Sequence, residues 1–352
     1  MFIDVLKVFI PTTTAFFIGM AATPFLTHYL YKYKLWKKRS GKQAPDGRAT
    51  PIFDRLHKEK EVGTPRMGGI VIWASALLTV FLFWLIAQIW PNDITTKLNF
   101  LSRNQTWLPL FTLITAAGLG LIDDIMQIKG DGKFISGGLP FRYRLLVVSG
   151  IGLVGGWWFY SKLGVATITI PWGGELFLGI WLIPLFILVM LSLFSSSVID
   201  GLDGLAGGVM AIIFTAYAGI AFFQNQIDIA ALSAVLAGGT LAFLWFNIPP
   251  ARFYMSETGI LGLTTTLTVI AFLTDSVIFL PIIALPLLAT SLSVIIQLTS
   301  KRLRHGKKVF NVAPLHHHFE SIGWPAYKVV MRYWVISVIA AIVGMILVLL
   351  SK

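Results

Sequence analysis

Leu182-Ile-Pro-Leu-Phe-Ile-Leu-Val-Met-Leu-Ser-Leu-Phe194 carries no charge and a single hydroxyl. A bilayer core of about 30 Å is crossed by roughly 20 apolar residues in a helix, whereas membrane barrels show only short alternating segments, so this run excludes an outer-membrane barrel and predicts a membrane helix. Runs of the same kind, bounded by charge or by Gly/Pro clusters, recur at 7–30, 68–90, 107–123, 143–161, 176–195, 205–222, 229–246, 259–274, 277–299 and 329–350. The span at 259–274 is short and Thr-rich, and Pro281 and Pro286 predict a bend or break in 277–299. The whole chain agrees: its 352 residues are 56% apolar and 12% charged, with a mean hydropathy of +0.78, far too little polar surface to coat a soluble globule. The expected fold is an all-α polytopic membrane protein of about ten helices, one domain over residues 1–352. The absence of Cys removes disulfides, thiolate zinc sites and cysteine nucleophiles, and no cleavage signature follows the first apolar run, so the first helix is expected to stay in the mature protein.

Charge assigns the two faces. With ten spans, Lys7, Lys97, Arg103, Lys162 and Lys352 share one side, and the other 23 of the 28 basic residues share the opposite one. By the positive-inside rule the basic face is cytoplasmic. The cluster Lys32, Lys34, Lys37, Lys38, Arg39 and Lys42 directly follows a membrane helix, where it reads as topology and contact with the lipid bilayer's anionic headgroups; no nucleic acid partner is expected. On the outer side, Val165-Ala-Thr-Ile-Thr-Ile170, a Pro-Trp-Gly-Gly turn and Glu175-Leu-Phe-Leu178 predict a small extracytoplasmic β-hairpin.

Five clusters of unusual chemistry fall in or beside loops of the basic face: Gly63-Thr-Pro-Arg-Met-Gly-Gly69, Asp123-Asp124, Asp200-Gly-Leu-Asp-Gly204, Asn247 with Met255-Ser-Glu-Thr-Gly259, and Pro314-Leu-His-His-His-Phe-Glu320. A cytoplasmic-face active site needs such convergence. The acidic pair follows an apolar stretch at an expected helix C-terminus, where the macrodipole disfavours carboxylates, so either they are solvated or something else favours them. Neighbouring helical side chains diverge by about 100°, so Asp123 and Asp124 are expected to do different jobs. Asp200 and Asp203 are expected on one face of a helix beginning there, with Asp-Gly as ordinary turn chemistry the plainer alternative. In a stretch without Lys or Arg from 163 to 251, they suggest a hard cation such as Mg²⁺ held partly by substrate phosphates. The consecutive imidazoles of His316, His317 and His318 cannot easily converge on zinc; near Lys307 and Lys308 they suit phosphate oxygens better. Residues alone thus point to phosphoryl transfer between a soluble phosphorylated donor and a lipid-borne acceptor.

The same motifs, in order and across essentially the whole chain, resemble the bacterial phospho-N-acetylmuramoyl-pentapeptide transferases (MraY) of the polyprenyl-phosphate N-acetylhexosamine-1-phosphate transferase superfamily. The carriers are Pro314-Leu-His-His-His-Phe-Glu320 with Gly323-Trp-Pro and Lys328-Val-Val, the Gly63–Gly69 segment, Asp123-Asp124, Asp200-Gly-Leu-Asp-Gly-Leu-Ala206 and Trp245-Phe-Asn247. The resemblance implies transfer of phospho-MurNAc-pentapeptide from UDP-MurNAc-pentapeptide to undecaprenyl phosphate with Mg²⁺, giving lipid I and UMP in the bacterial inner membrane. It implies catalytic roles for Asp123 (as base or electrostatic partner), Asp124 and His316. Substrate binding would fall to Lys60, Asp200, Asp203, Asn247, Tyr254, His317 and His318, and the metal to Glu257 and Asp200. A homodimer is compatible with the sequence.

The chain departs from the family pattern in three places. Phe194-Ser-Ser-Ser-Val-Ile-Asp200-Gly replaces Asn-Ala-Val-Asn-Leu-Thr-Asp-Gly; Tyr254-Met-Ser-Glu257-Thr-Gly-Ile replaces Phe-Met-Gly-Asp-Thr-Gly-Ser; Gln127 replaces a lysine. Glu257 therefore stands at the family's metal-binding aspartate with one extra methylene. Two alternatives remain at this level: a transferase using another UDP-N-acetylhexosamine, separable by donor competition, and a transporter or flippase, which would carry charge nearer mid-membrane.

Overall fold

The protein is described by a computed structural model covering residues 2–38, 62–102, 105–130, 138–171 and 174–351. Its helices are α1 (Phe2–Lys32), α2 (Ile70–Ile89), α3 (Asp93–Leu98), α4 (Trp107–Lys129), α5 (Phe141–Ser161), α6 (Leu182–Ser195), α7 (Leu205–Phe223), α8 (Ile227–Asn247), α9 (Ser256–Leu273), α10 (Leu280–Ile283), α11 (Leu285–Leu303), α12 (Leu315–Ser321) and α13 (Ala326–Leu350). Among the described residues, eight are long and apolar enough to cross a membrane: α1, α2, α4, α6 with its 3₁₀ flanks, α7, α8, α9 and α13. The two other expected spans are present as α5, whose first turn holds Arg142 and Arg144, and as the pair α10 and α11, broken at Ala284 beside Pro286. Pro281 and Pro286 each stand at the start of their helix, where the missing N–H costs no bond.

The helices are arranged by burial. α7, α8 and α9 form the centre; α1 and α13 lie outside and present Phe9, Phe17, Phe25, Val335 and Ile339 outward, as lipid-facing helices do. α9, the short Thr-rich span, is the most enclosed: all but two of its 18 residues are buried. Thr264, Thr265 and Thr268 each donate to a carbonyl of the preceding turn, which satisfies the hydroxyls without help from water. α9 packs mainly on α4, while α8 packs on α1 and α7.

β1 (Thr167–Ile170) and β2 (Gly174–Phe177) pair antiparallel, Thr167 opposite Phe177 and Ile170 opposite Gly174, so the expected hairpin is present. Asp275, just past the end of α9, accepts from the Thr169 amide at 3.1 Å and from the Thr169 hydroxyl. Eighteen residues of helix rise about 27 Å, so the hairpin and Ser256, at the start of α9, mark opposite ends of the bundle.

Candidate active site

The motifs meet at the Ser256 end. The Gly63–Gly69 segment lies along residues 254–255: Tyr254 N donates to Pro65 O at 2.9 Å, Gly68 N to Tyr254 O at 2.8 Å and Gly69 N to Met255 O at 3.1 Å. A Cβ on Gly69 would collide with the backbone of Gly259, so the paired glycines let the loop before α2 close on α9. This aims Arg66 inward, where its Nε donates to Asp124 Oδ1 at 3.2 Å. The other Asp124 oxygen accepts from Thr258 N at 2.9 Å. Burial alone would lower the Arg66 guanidinium, but the carboxylates of Asp124, Glu257 and Asp200 outweigh it and hold it above its ordinary value.

Asp123 turns the other way, as adjacent helical positions require. Its oxygens accept from Leu139 N at 2.5 Å, Gln127 Nε2 at 2.8 Å and Arg144 Nη1 at 3.5 Å. Both oxygens are thus engaged inside the protein, with three of the roughly four acceptor positions of the carboxylate in use. The acids were expected at a helix end, but α4 runs on to Lys129 and is capped by Gly130 in the left-handed region. Both carboxylates are therefore fully buried in mid-helix and balanced by Arg66 and Arg144 rather than by solvent.

Arg144 is the residue that reading the sequence missed. Its Nη1 also donates to Glu257 Oε1 at 2.9 Å, joining the first turn of α5 to that of α9. A signal existed: cations are disfavoured in a helix's first turn by the macrodipole, just as acids are in the last, so the paired misplacement of Arg142 and Arg144 after Asp123-Asp124 pointed to a compensating partner. Arg66 was visible within its motif and was assigned no role.

Asp200 and Asp203 do not share a helical face. Asp200 ends a 3₁₀ turn (Ser196–Ile199), and α7 begins only at Leu205, after Gly204 at φ 79°. The carboxylates consequently part: Asp200 Oδ2 accepts from Ser256 N at 2.8 Å, whereas Asp203 Oδ2 accepts from Ala251 N at 3.3 Å. Asp203 and Tyr254 line a cleft of about 380 Å³ with Val62, Thr64 and Pro250. Asn247 brackets the two segments from within, accepting from Gly204 N at 2.9 Å and donating to Phe253 O at 2.8 Å.

The histidines lie on α12. His316 and His317 are buried, their rings 4.3 Å apart, and they press on Gly201: a Cβ there would collide with His316 Nε2 and stand 3.1 Å from His317 Nε2. Their place against the Asp200 turn thus needs the glycine of Asp-Gly. His317 Nδ1 meets Glu320 Oε2 at 2.7 Å. His318 diverges, with Nδ1 accepting from Asn311 N at 3.3 Å and its ring against Phe310. Lys60 lies outside the described residues.

A hard cation here would find oxygen donors. Glu257 Oε2 is buried with no hydrogen-bond partner among the described residues, and Glu257 lies within electrostatic reach of Asp123 and Asp200. No three His, Asp or Glu residues among those described are already gathered at ligand spacing. That donor set fits Mg²⁺, which usually takes one or two carboxylates and completes its shell with water and substrate phosphates.

A bundle of membrane-length helices carrying a buried acid–arginine cluster and phosphate-suited histidines at one end defines a polytopic membrane transferase. Comparison with known proteins gives the family. Residues 106–275 match the model of glycosyl transferase family 4. The chain is 30% identical to a phospho-N-acetylmuramoyl-pentapeptide-transferase of Chloroflexus aggregans, over 99% of this chain and 91% of that protein. It is 31% identical to the enzyme of the same description from Listeria innocua, over 94% of each, and 36% identical to that of a Geobacillus species, over 81% and 84%. The chain belongs to the phospho-N-acetylmuramoyl-pentapeptide-transferase family and is a phosphoglycosyl transferase.

Proposed function

We propose that this protein transfers phospho-MurNAc-pentapeptide from UDP-MurNAc-pentapeptide to undecaprenyl phosphate, forming lipid I and releasing UMP, at the cytoplasmic face of the bacterial inner membrane. The observation that carries the proposal is the union of Asp123, Asp124, Asp200 and Glu257 with Arg66 and Arg144 at one end of the bundle, where a soluble nucleotide and a lipid phosphate can both reach. A phosphate oxygen of the lipid attacks the sugar-side phosphorus of the donor; the bond to the uridylyl phosphate breaks, and UMP leaves with the electron pair.

The work falls on positioning and charge, because the acceptor phosphate needs little deprotonation at neutral pH. Arg66 and Arg144, paired with Asp124, Asp123 and Glu257, supply positive charge beside the reacting phosphates. His316 and His317, over the Asp200 turn, offer Nε2 atoms to phosphate oxygens, and the Asp203–Tyr254 cleft is assigned to the nucleotide. Glu257 and Asp200 would hold Mg²⁺, which when bound neutralises phosphate charge. The cytoplasmic assignment is supported by the charge pattern of the sequence, whose ten-span reading puts 23 of the 28 basic residues in loops of one face, the face that carries these motifs.

The test is UMP release by purified protein given the pentapeptide donor, undecaprenyl phosphate and Mg²⁺, with UDP-N-acetylglucosamine as competing donor. Release from the pentapeptide donor alone is expected; consumption of the competitor instead would assign the chain a different sugar. A Lys308→Cys variant of this Cys-free chain should resist impermeant thiol reagents in intact cells, and labelling from outside would reverse the orientation.

A further inference from the structure

The contact between Arg144 and Glu257 is half of what these two groups can form. A guanidinium and a carboxylate normally pair through two parallel hydrogen bonds. Here one bond is made, Nη1 to Oε1 at 2.9 Å, and the groups that would complete the fork are both idle: Arg144 Nε and Glu257 Oε2 are buried and have no hydrogen-bond partner among the described residues. The remaining bond of Nη1, to Asp123 Oδ2, is long at 3.5 Å. A buried donor and a buried acceptor left idle on two residues already in contact are costly unless something else uses them in the working state. The two idle groups are complementary to a cation at Oε2 and an oxyanion at Nε.

We propose that Arg144 is a resident counter-cation that neutralises Glu257 and Asp123 in the empty site and competes with the divalent cation for them. On this reading, which rests on the proposed use of Mg²⁺, Glu257 would hold the ion in place of its bond from Arg144, whose freed guanidinium N–H groups would then be available to phosphate. Glutamate at 257 fits this exchange: its extra methylene lets one carboxylate oxygen reach α5 while the other stays open. Aspartate would reach less far.

The proposal makes a prediction opposite to that for a residue that merely supports the metal site. Mn²⁺ is titrated into purified protein without substrates and followed by the electron paramagnetic resonance signal of the free ion. Arg144→Met removes a positive charge within a few ångströms of the ion and should tighten Mn²⁺ binding by about tenfold or more. Glu257→Gln, alone or added to Arg144→Met, should abolish that site, showing that the ion counted is the one at Glu257. If the methionine variant fails to fold, Arg144→Gln removes the charge while keeping a donor, with the same expected direction. Unchanged or weaker Mn²⁺ binding in the folded Arg144 variant would overturn the proposal. Because no donor or acceptor is present, the result is independent of whether the UMP assay succeeds.

Discussion

The two halves of the site are stabilised in different ways. In the carboxylate–arginine half, the ion pairs reach across the fold: Asp124 on α4 meets Arg66 from the loop before α2, and Arg144 on α5 meets both Asp123 on α4 and Glu257 on α9. In the histidine half the balance is local, His317 meeting Glu320 three residues away on the seven-residue α12. The first half therefore couples the positions of several helices to one another, and a single substitution leaves a buried charge unmatched. The second half is a prefabricated piece that docks on Gly201.

This contrast can be broken at graded points. The largest effect is expected for Asp124→Ala, which strands the buried Arg66 guanidinium and should cost about 3–5 kcal/mol. Thermal unfolding in detergent would show it, and an unshifted transition would mean that Arg66 finds another partner. Asn247→Ala comes next. Losing both bonds of the bracket between Gly204 and Phe253 should cost about 2–4 kcal/mol, and an unchanged denaturation midpoint would remove Asn247 from the scaffold. Glu320→Gln is expected to cost only about 1–2 kcal/mol, because the amide can still accept from His317. If its loss instead matched that of Asp124→Ala, the histidine half would not be locally balanced. The smallest effect has the opposite sign. Ser256 holds φ 59°, a conformation that costs a non-glycine residue about 1 kcal/mol, and the family pattern places glycine there. Ser256→Gly should recover most of that strain as a small rise in melting temperature, and a fall would show that the serine hydroxyl matters more than the backbone.

The sequence made the membrane class, the hairpin, the broken helix at Pro286 and the five converging motifs readable, because apolar run length, proline and clustered polar residues are local signals. Burial was harder to see. α9 was one of two weak spans because hydropathy scales penalise threonine, yet it is the most enclosed helix described, where Thr264, Thr265 and Thr268 turn back on their own backbone while Thr258 and Thr266 donate to carbonyls of α4. Asp200 and Asp203 were expected on one helical face, with an Asp-Gly turn as the alternative; the turn is what forms, because Gly204 in the left-handed region delays the helix to Leu205. Arg144 went unassigned because its partner lies 113 residues away, and only the fold brings α5 and α9 together.

Glu257 offers the most direct test, because it joins the charge network to the open oxygen at the centre of the site. UMP release by wild-type protein and by Glu257→Gln should be compared under the same Mg²⁺, donor and lipid conditions. Gln keeps the size of the side chain and its bond from Arg144 while removing the charge. A fall in kcat of at least about 10²-fold is expected, the usual loss when one electrostatic stabiliser of a transition state is removed. Wild-type turnover in the Gln variant would contradict the account and move the reacting phosphates away from the carboxylate–arginine cluster.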